Sequence, residues 1–122
     1  MNQSPLKKIL IVDDERDIRE ALCQALELNG YEVAVVSSGE EALKVLCGPE
    51  KPSLILLDLM MPNMDGFEFM KIRNLSSGIN GIPVVIISAS RGLELGEFNV
   101  QGYLKKPISL SSLLQTAERY CC

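Results

Sequence analysis

The chain has 122 residues, of which 47% are apolar and 23% are charged, and its formal net charge is −4. This length and balance predict one globular domain, residues 1–122, and exclude a disordered tail. Because lysine and arginine do not cluster, the sequence lacks the basic surface that direct binding to DNA or RNA requires.

The first half of the chain alternates predicted strands and helices. The run 9–12 is continuously apolar and rich in isoleucine, which is typical of a strand buried on both faces. Apolar residues recur at helical spacing over 15–29, and a second buried strand is predicted at 33–36. The next helix begins near Ser38, a candidate N-cap, and ends before Gly48.

The second half continues the same alternation. Strands are predicted at 54–57, at 84–87 and, more weakly, at 102–104, with a helix from about 65 to 74 and a last helix capped by Ser109. The inward residues of the third helix are predicted to be Phe67, Met70 and Ile72. The pattern predicts a doubly wound α/β sandwich on a parallel sheet, with its ligand site beyond the carboxyl ends of the strands.

Acidic residues follow two of the predicted strands. Asp13 and Asp14 end the first, and Asp58 ends the third, so three carboxylates should meet at one edge of the sheet. The ends of the other strands add a hydroxyl and an ammonium group, from Ser88 and from either Lys105 or Lys106. Carboxylates suit Mg²⁺, while hydroxyl and ammonium groups suit phosphoryl oxygens. Asp58 is the candidate nucleophile, since a carboxylate can attack phosphorus.

The start of the chain and its cysteines bear on the compartment. The apolar run 9–12 is too short for a signal peptide or a membrane span. The four cysteines are not paired as in a zinc site. We therefore expect reduced thiols and a cytoplasmic location.

Four segments, each at a predicted strand end, form a recognisable set. They are 9–15, 56–66, Ser88-Ala89 and 103–107. In this order they resemble the receiver domain of two-component response regulators, over nearly all of the chain. The resemblance implies a flavodoxin-like, five-stranded parallel sheet of order 2-1-3-4-5 with helices on both faces.

The resemblance implies a role for each matching acid. It makes Asp58 the phosphoacceptor. Asp14 and Asp58 become direct ligands of Mg²⁺, and Asp13 becomes a ligand mainly through water. Met60 would contribute only its backbone carbonyl.

The resemblance also assigns the residues that contact the phosphoryl group or move when it is present. Lys106, which directly precedes Pro107, should contact the phosphoryl group, and the Lys106-Pro107 peptide bond should be cis. Lys105 should point away. Ser88 and Tyr103 match the switch pair of the family, a hydroxyl that moves to the phosphate and an aromatic ring that follows it inward.

One stretch departs from the family pattern. The segment 90–101 is a few residues shorter than usual and contains Gly92 and Gly96, each of which costs about 1 kcal/mol inside a helix relative to alanine. We expect the fourth helix of the family to be short or absent here, which leaves the use of this face open.

The leading hypothesis is a phosphorelay module. A histidine kinase or histidine phosphotransfer protein would donate to Asp58 with Mg²⁺, since this chain contains no histidine. The domain would catalyse only its own phosphorylation and dephosphorylation and would signal to a downstream protein, without contact to nucleic acid or membrane. The sequence ends soon after the last helix, so we expect no effector domain, unless it is a fragment of a longer regulator.

Two alternatives remain open from the sequence. One is a receiver-like binding module that works through its altered 90–101 face without phosphorylation. The other is a phosphatase with an aspartate nucleophile, although the usual acid two residues after Asp58 is replaced by Met60.

Overall fold

A computed structural model describes residues 7–49, 51–58, 66–76, 78, 81–88 and 101–121, with the backbone alone at 66 and 67. The strands are β1 Lys8–Val12, β2 Glu32–Val36, β3 Leu54–Asp58, β4 Val84–Ser88 and β5 Gly102–Lys105. The helices are α1 Arg16–Leu28, α2 Gly39–Leu46, α3 Gly66–Leu75 and α4 Leu110–Tyr120. The expectation of a short or missing helix within 90–101 lies outside the described residues, apart from Gln101.

The strands form one parallel sheet of order β2-β1-β3-β4-β5, which confirms the predicted topology. Val12 pairs with Val36 and with Leu57, so the ends of the first three strands are level. Ser88 pairs with Lys105 in the same way at the other side. This register brings the carboxyl ends of all five strands to one edge.

The core has two layers, one on each face of the sheet. Alternate residues of β1, β3 and β4 pack with α2 and α3 on one face and with α1 and α4 on the other. Full burial on both faces was predicted for these runs and is confirmed for these central strands. It is wrong for the two edge strands, β2 and β5, where Val35 and Tyr103 are 43% and 38% exposed, because a strand at the edge of the sheet has a neighbouring strand on one side only.

The helix ends follow the sequence closely. The side chains of Ser38 and Ser109 accept hydrogen bonds from the backbone N–H groups of Glu41 and Ser112, both at 3.1 Å, as N-caps do. After α1, Gly30 adopts a φ of 90°, a conformation that favours glycine.

The inward face of α3 differs from its prediction. Met70 is buried as expected, but Ile72 is 38% exposed, and the side chain of Phe67 lies outside the described residues. Phe69 and Arg73 are buried instead. Positions 69, 70 and 73 share one helical face, so the helix buries an arginine that a search for apolar residues passes over.

Candidate acidic site at the carboxyl edge of the sheet

Three carboxylates meet where β1 and β3 end side by side. Asp13 and Asp14 directly follow β1, and Asp58 is the last residue of β3. One carboxylate oxygen of each lies within 4.8 Å of the others. Asp13 is 0% and Asp58 4% exposed, whereas Asp14 is exposed. The predicted meeting of these acids is therefore observed.

The loop after β1 holds Asp13 in a fixed orientation. Its Oδ1 accepts a hydrogen bond from the backbone N–H of Glu15 at 2.8 Å. Its backbone carbonyl accepts one from Nη1 of Arg19 on α1, also at 2.8 Å. Its own N–H donates to the carbonyl of Val36 in β2 at 3.2 Å. The first acid is thus tied to both of its neighbouring elements.

Lys106 enters the cluster from the end of β5. Its Nζ lies 2.9 Å from Oδ2 of Asp13, 3.0 Å from Oε1 of Glu15 and 3.5 Å from Oδ2 of Asp58. The Lys106-Pro107 peptide bond is cis, as the resemblance implied. Lys105 is exposed. Of the two candidate lysines, the fold brings Lys106 to the acids.

The carboxylates keep the ammonium group of Lys106 charged. Burial lowers the pKa of Lys106, since the charged form loses hydration. Hydrogen bonds to Asp13 and Glu15 and the charges of Asp13 and Asp58 outweigh burial, so the pKa lies above its ordinary value. A positive charge therefore stands beside the acids throughout the neutral pH range.

The predicted switch pair lies on β4, which pairs with the strand of Asp58, and on β5, the next strand outward. Ser88 ends β4 and is 2% exposed, and its backbone carbonyl accepts a hydrogen bond from the N–H of Lys106 at 2.8 Å. The hydroxyl of Tyr103 on β5 lies 3.5 Å from the same carbonyl, while its side chain remains partly exposed. The fold thus brings serine and tyrosine together beside the acids.

The donor set fits a hard divalent cation. All three clustered side chains offer carboxylate oxygens, the ligands that Mg²⁺ prefers, and the exposure of Asp14 leaves space for the water that Mg²⁺ retains. Buried like charges repel one another unless a cation lies among them. Met60, the predicted carbonyl ligand, lies outside the described residues.

Two contacts were not foreseen from the sequence. In the sequence, Glu15 is only the residue after the acidic pair, and Arg19 is only one residue of the helical run 15–29. Their contacts with Lys106 and Asp13 depend on side-chain geometry across the β1–α1 loop, for which the sequence carries no motif.

The comparisons with known proteins decide the family. The family model of the response regulator receiver domain matches residues 9–118. The chain belongs to this family. The receiver domain is 37% identical over 114 residues to the response regulator MprA of Mycolicibacterium vanbaalenii, an alignment that covers 88% of this chain and 47% of the relative. It spans about half the length of the curated relatives it matches.

Solved structures agree with this membership. The chemotaxis response regulator CheY4 of Vibrio cholerae is 31% identical, with a TM-score of 0.84 over 94% of this chain and 98% of that one. A signal receiver domain of a histidine kinase from Syntrophus aciditrophicus is 28% identical, with a TM-score of 0.86 over 94% and 89%. The chain is a receiver domain of two-component signalling, and the comparisons support neither alternative hypothesis.

Proposed function

We propose that this receiver domain accepts a phosphoryl group on Asp58, with Mg²⁺ held by Asp13, Asp14 and Asp58. The observation that carries the proposal is the convergence of three carboxylates and the ammonium of Lys106 at one strand edge. When bound, Mg²⁺ would neutralise the carboxylates and the oxygens of the transferring phosphoryl group. Asp14 and Asp58 would be direct ligands, Asp13 would act mainly through water, and Met60 would add its backbone carbonyl.

The acceptor chemistry needs a carboxylate with an approach to phosphorus. A side-chain oxygen of Asp58 forms the new P–O bond while the P–N bond of a phosphohistidine breaks, and the bonding electron pair stays on the imidazole nitrogen. Lys106 contacts an oxygen of the transferred group, which its 3.5 Å distance from Asp58 allows after a small movement. In this proposal the domain catalyses only its own phosphorylation and dephosphorylation.

The donor would be a histidine kinase or a histidine phosphotransfer protein, because this chain contains no histidine. A mostly apolar groove of about 170 Å³ lies between α1 and the residues that follow β5, and Lys106 is the charged residue in its lining. A partner helix in this groove would bring its phosphohistidine close to Lys106. We further propose that residues 1–122 form one domain, working in the cytoplasm and signalling to a downstream protein.

Ser88 and Tyr103 would report the modification. A phosphoryl group on Asp58 adds negative charge and acceptor oxygens beside β4. The Ser88 hydroxyl would then turn to these oxygens, and Tyr103, already beside the Ser88 carbonyl, would follow it inward. States with both changes are favoured once Asp58 is modified.

The test is phosphorylation by phosphoramidate and Mg²⁺, followed by mass spectrometry of the intact protein. The natural sequence should gain one phosphoryl group, and Asp58→Asn should gain none. Asp17→Asn, which removes an exposed acid of α1, is the matched control and should gain one. Equal modification of Asp58→Asn, or none of the natural sequence, would falsify the proposal.

A further inference from the structure

Glu15 supplies Lys106 with a partner from outside the acidic cluster. Its Oε1 lies 3.0 Å from Nζ of Lys106, closer than Oδ2 of Asp58 at 3.5 Å. The Glu15 side chain is 59% exposed, whereas those of Asp13 and Asp58 are 0% and 6% exposed. Lys106 is thus shared between buried acids and one acid at the surface.

The backbone of Glu15 sets this position. Its N–H donates to Oδ1 of Asp13 at 2.8 Å, and its carbonyl accepts the N–H of Arg19 at 3.0 Å. Glu15 is also the N-cap residue of α1, although its side chain makes no capping hydrogen bond. The side chain therefore extends toward Lys106 instead of back over the helix.

We propose that Glu15 competes with the phosphoryl group for Lys106 and so weakens the hold of the site on that group. This inference rests on the proposed function of Asp58 and Lys106. It assigns Glu15 as a positioning residue, which acts through the lysine without touching phosphorus.

The competition follows from the single positive charge of the ammonium group. Nζ of Lys106 donates hydrogen bonds to Glu15 at 3.0 Å and to Asp58 at 3.5 Å and forms an ion pair with Asp13 at 2.9 Å. An oxygen of a phosphoryl group on Asp58 would therefore share this charge with Glu15 and Asp13. Asp13 is buried and tied at three atoms, and it cannot withdraw. The Glu15 side chain can rotate toward the solvent, and this rotation loses only the interaction free energy of a mostly exposed ion pair.

The experiment measures the affinity for beryllofluoride, a phosphoryl mimic, by calorimetry at saturating Mg²⁺. Glu15→Gln should bind beryllofluoride about two- to fivefold more tightly than the natural sequence, the range expected from loss of an exposed pair. Asp17→Asn removes an equal charge from the first turn of the same helix and should leave the affinity unchanged. Mg²⁺ affinity, measured in parallel, should match in all three proteins, and thermal unfolding should show that both variants remain folded.

A second measurement tests whether Glu15 acts through Lys106. In a Lys106→Gln background, Glu15→Gln should no longer change the beryllofluoride affinity, because the shared donor is gone. The same gain in both backgrounds would overturn the inference, as would equal or weaker binding by Glu15→Gln alone. Failure of the natural sequence to bind beryllofluoride would instead count against the proposed function, so the two failures are distinguishable.

Discussion

At the scale of single residues, Lys106 supplies a positive charge to the buried carboxylates of the acidic cluster. Its side chain is 11% exposed and lies between the carboxylates of Asp13 and Asp58, which are buried. Buried like charges without a cation raise the free energy of the folded state. Lys106 therefore stabilises the site before any other cation arrives.

Lys106→Gln should lower the free energy of unfolding by about 2–4 kcal/mol in buffer without Mg²⁺, because it leaves Asp13 buried without its counter-ion. Saturating Mg²⁺ should recover part of this loss. Urea denaturation with and without Mg²⁺ checks both expectations. The control is Lys105→Gln at the exposed neighbouring position, and equal losses in the two variants would contradict the argument.

The sequence predicted much of this site and missed a definable part. Asp13, Asp14 and Asp58 could be assigned together because each follows an apolar run, and parallel strands end at one edge. Lys106 was separated from Lys105 only through the family motif. Glu15 and Arg19 were missed because the β1–α1 loop, and not a spacing rule, determines where their side chains reach.

At the scale of secondary-structure elements, Arg73 joins α3 to the chain that enters β4. It is 1% exposed, with Nη1 donating to Oδ1 of Asn74 at 2.8 Å and Nη2 to the carbonyl of Ile82 at 2.5 Å. Burial lowers the pKa of Arg73, yet a guanidinium stays charged at neutral pH. Apolar periodicity predicted the existence of α3, but it could not predict a buried arginine on the inner face.

Arg73→Lys should lower the free energy of unfolding by about 1–3 kcal/mol, because an ammonium group cannot reproduce two fixed, diverging hydrogen bonds in a buried position. Chemical denaturation monitored by circular dichroism measures the change. Arg16→Lys, the same substitution at an exposed position of α1, is the control and should be nearly neutral. If Arg73→Lys were equally neutral, the role of Arg73 in joining α3 to β4 would be disproved.

At the scale of the whole molecule, both helical layers were predictable because every strand except β4 is followed by residues of helical period, and the family resemblance implied the strand order. The difference in burial between the central strands and the edge strands was not predictable from the sequence. Val35 and Ile11 occur in apolar runs that look alike, yet Val35 is 43% exposed and Ile11 is 0% exposed. Position within a sheet depends on long-range pairing, which a local run of residues does not encode.

Binding of Mg²⁺ at the acidic cluster should stabilise the entire fold. An ion that binds the folded state alone adds about 2.7 kcal/mol to the free energy of unfolding at a concentration about one hundred times its Kd. Thermal unfolding across a magnesium titration, at constant ionic strength, measures this gain.

Asp14→Asn, at an exposed member of the cluster, should reduce the stabilisation by Mg²⁺ while leaving the metal-free protein folded. Asp17→Asn should retain the full stabilisation. A gain that is identical in both variants would place the bound ion elsewhere.

Asp58 lies close to β5, an edge strand of the sheet, and this short distance bears on how the domain could signal. Asp58 lies on β3, and β4 and β5 are the next two strands, so the solvent-facing margin is two strand spacings away, or about 10 Å. The three innermost strands are enclosed on both faces and form a stiff frame, whereas β5 is half covered. If Asp58 is modified as proposed, a partner protein could recognise the change at this edge after only a few side chains rearrange, while the central strands keep their positions.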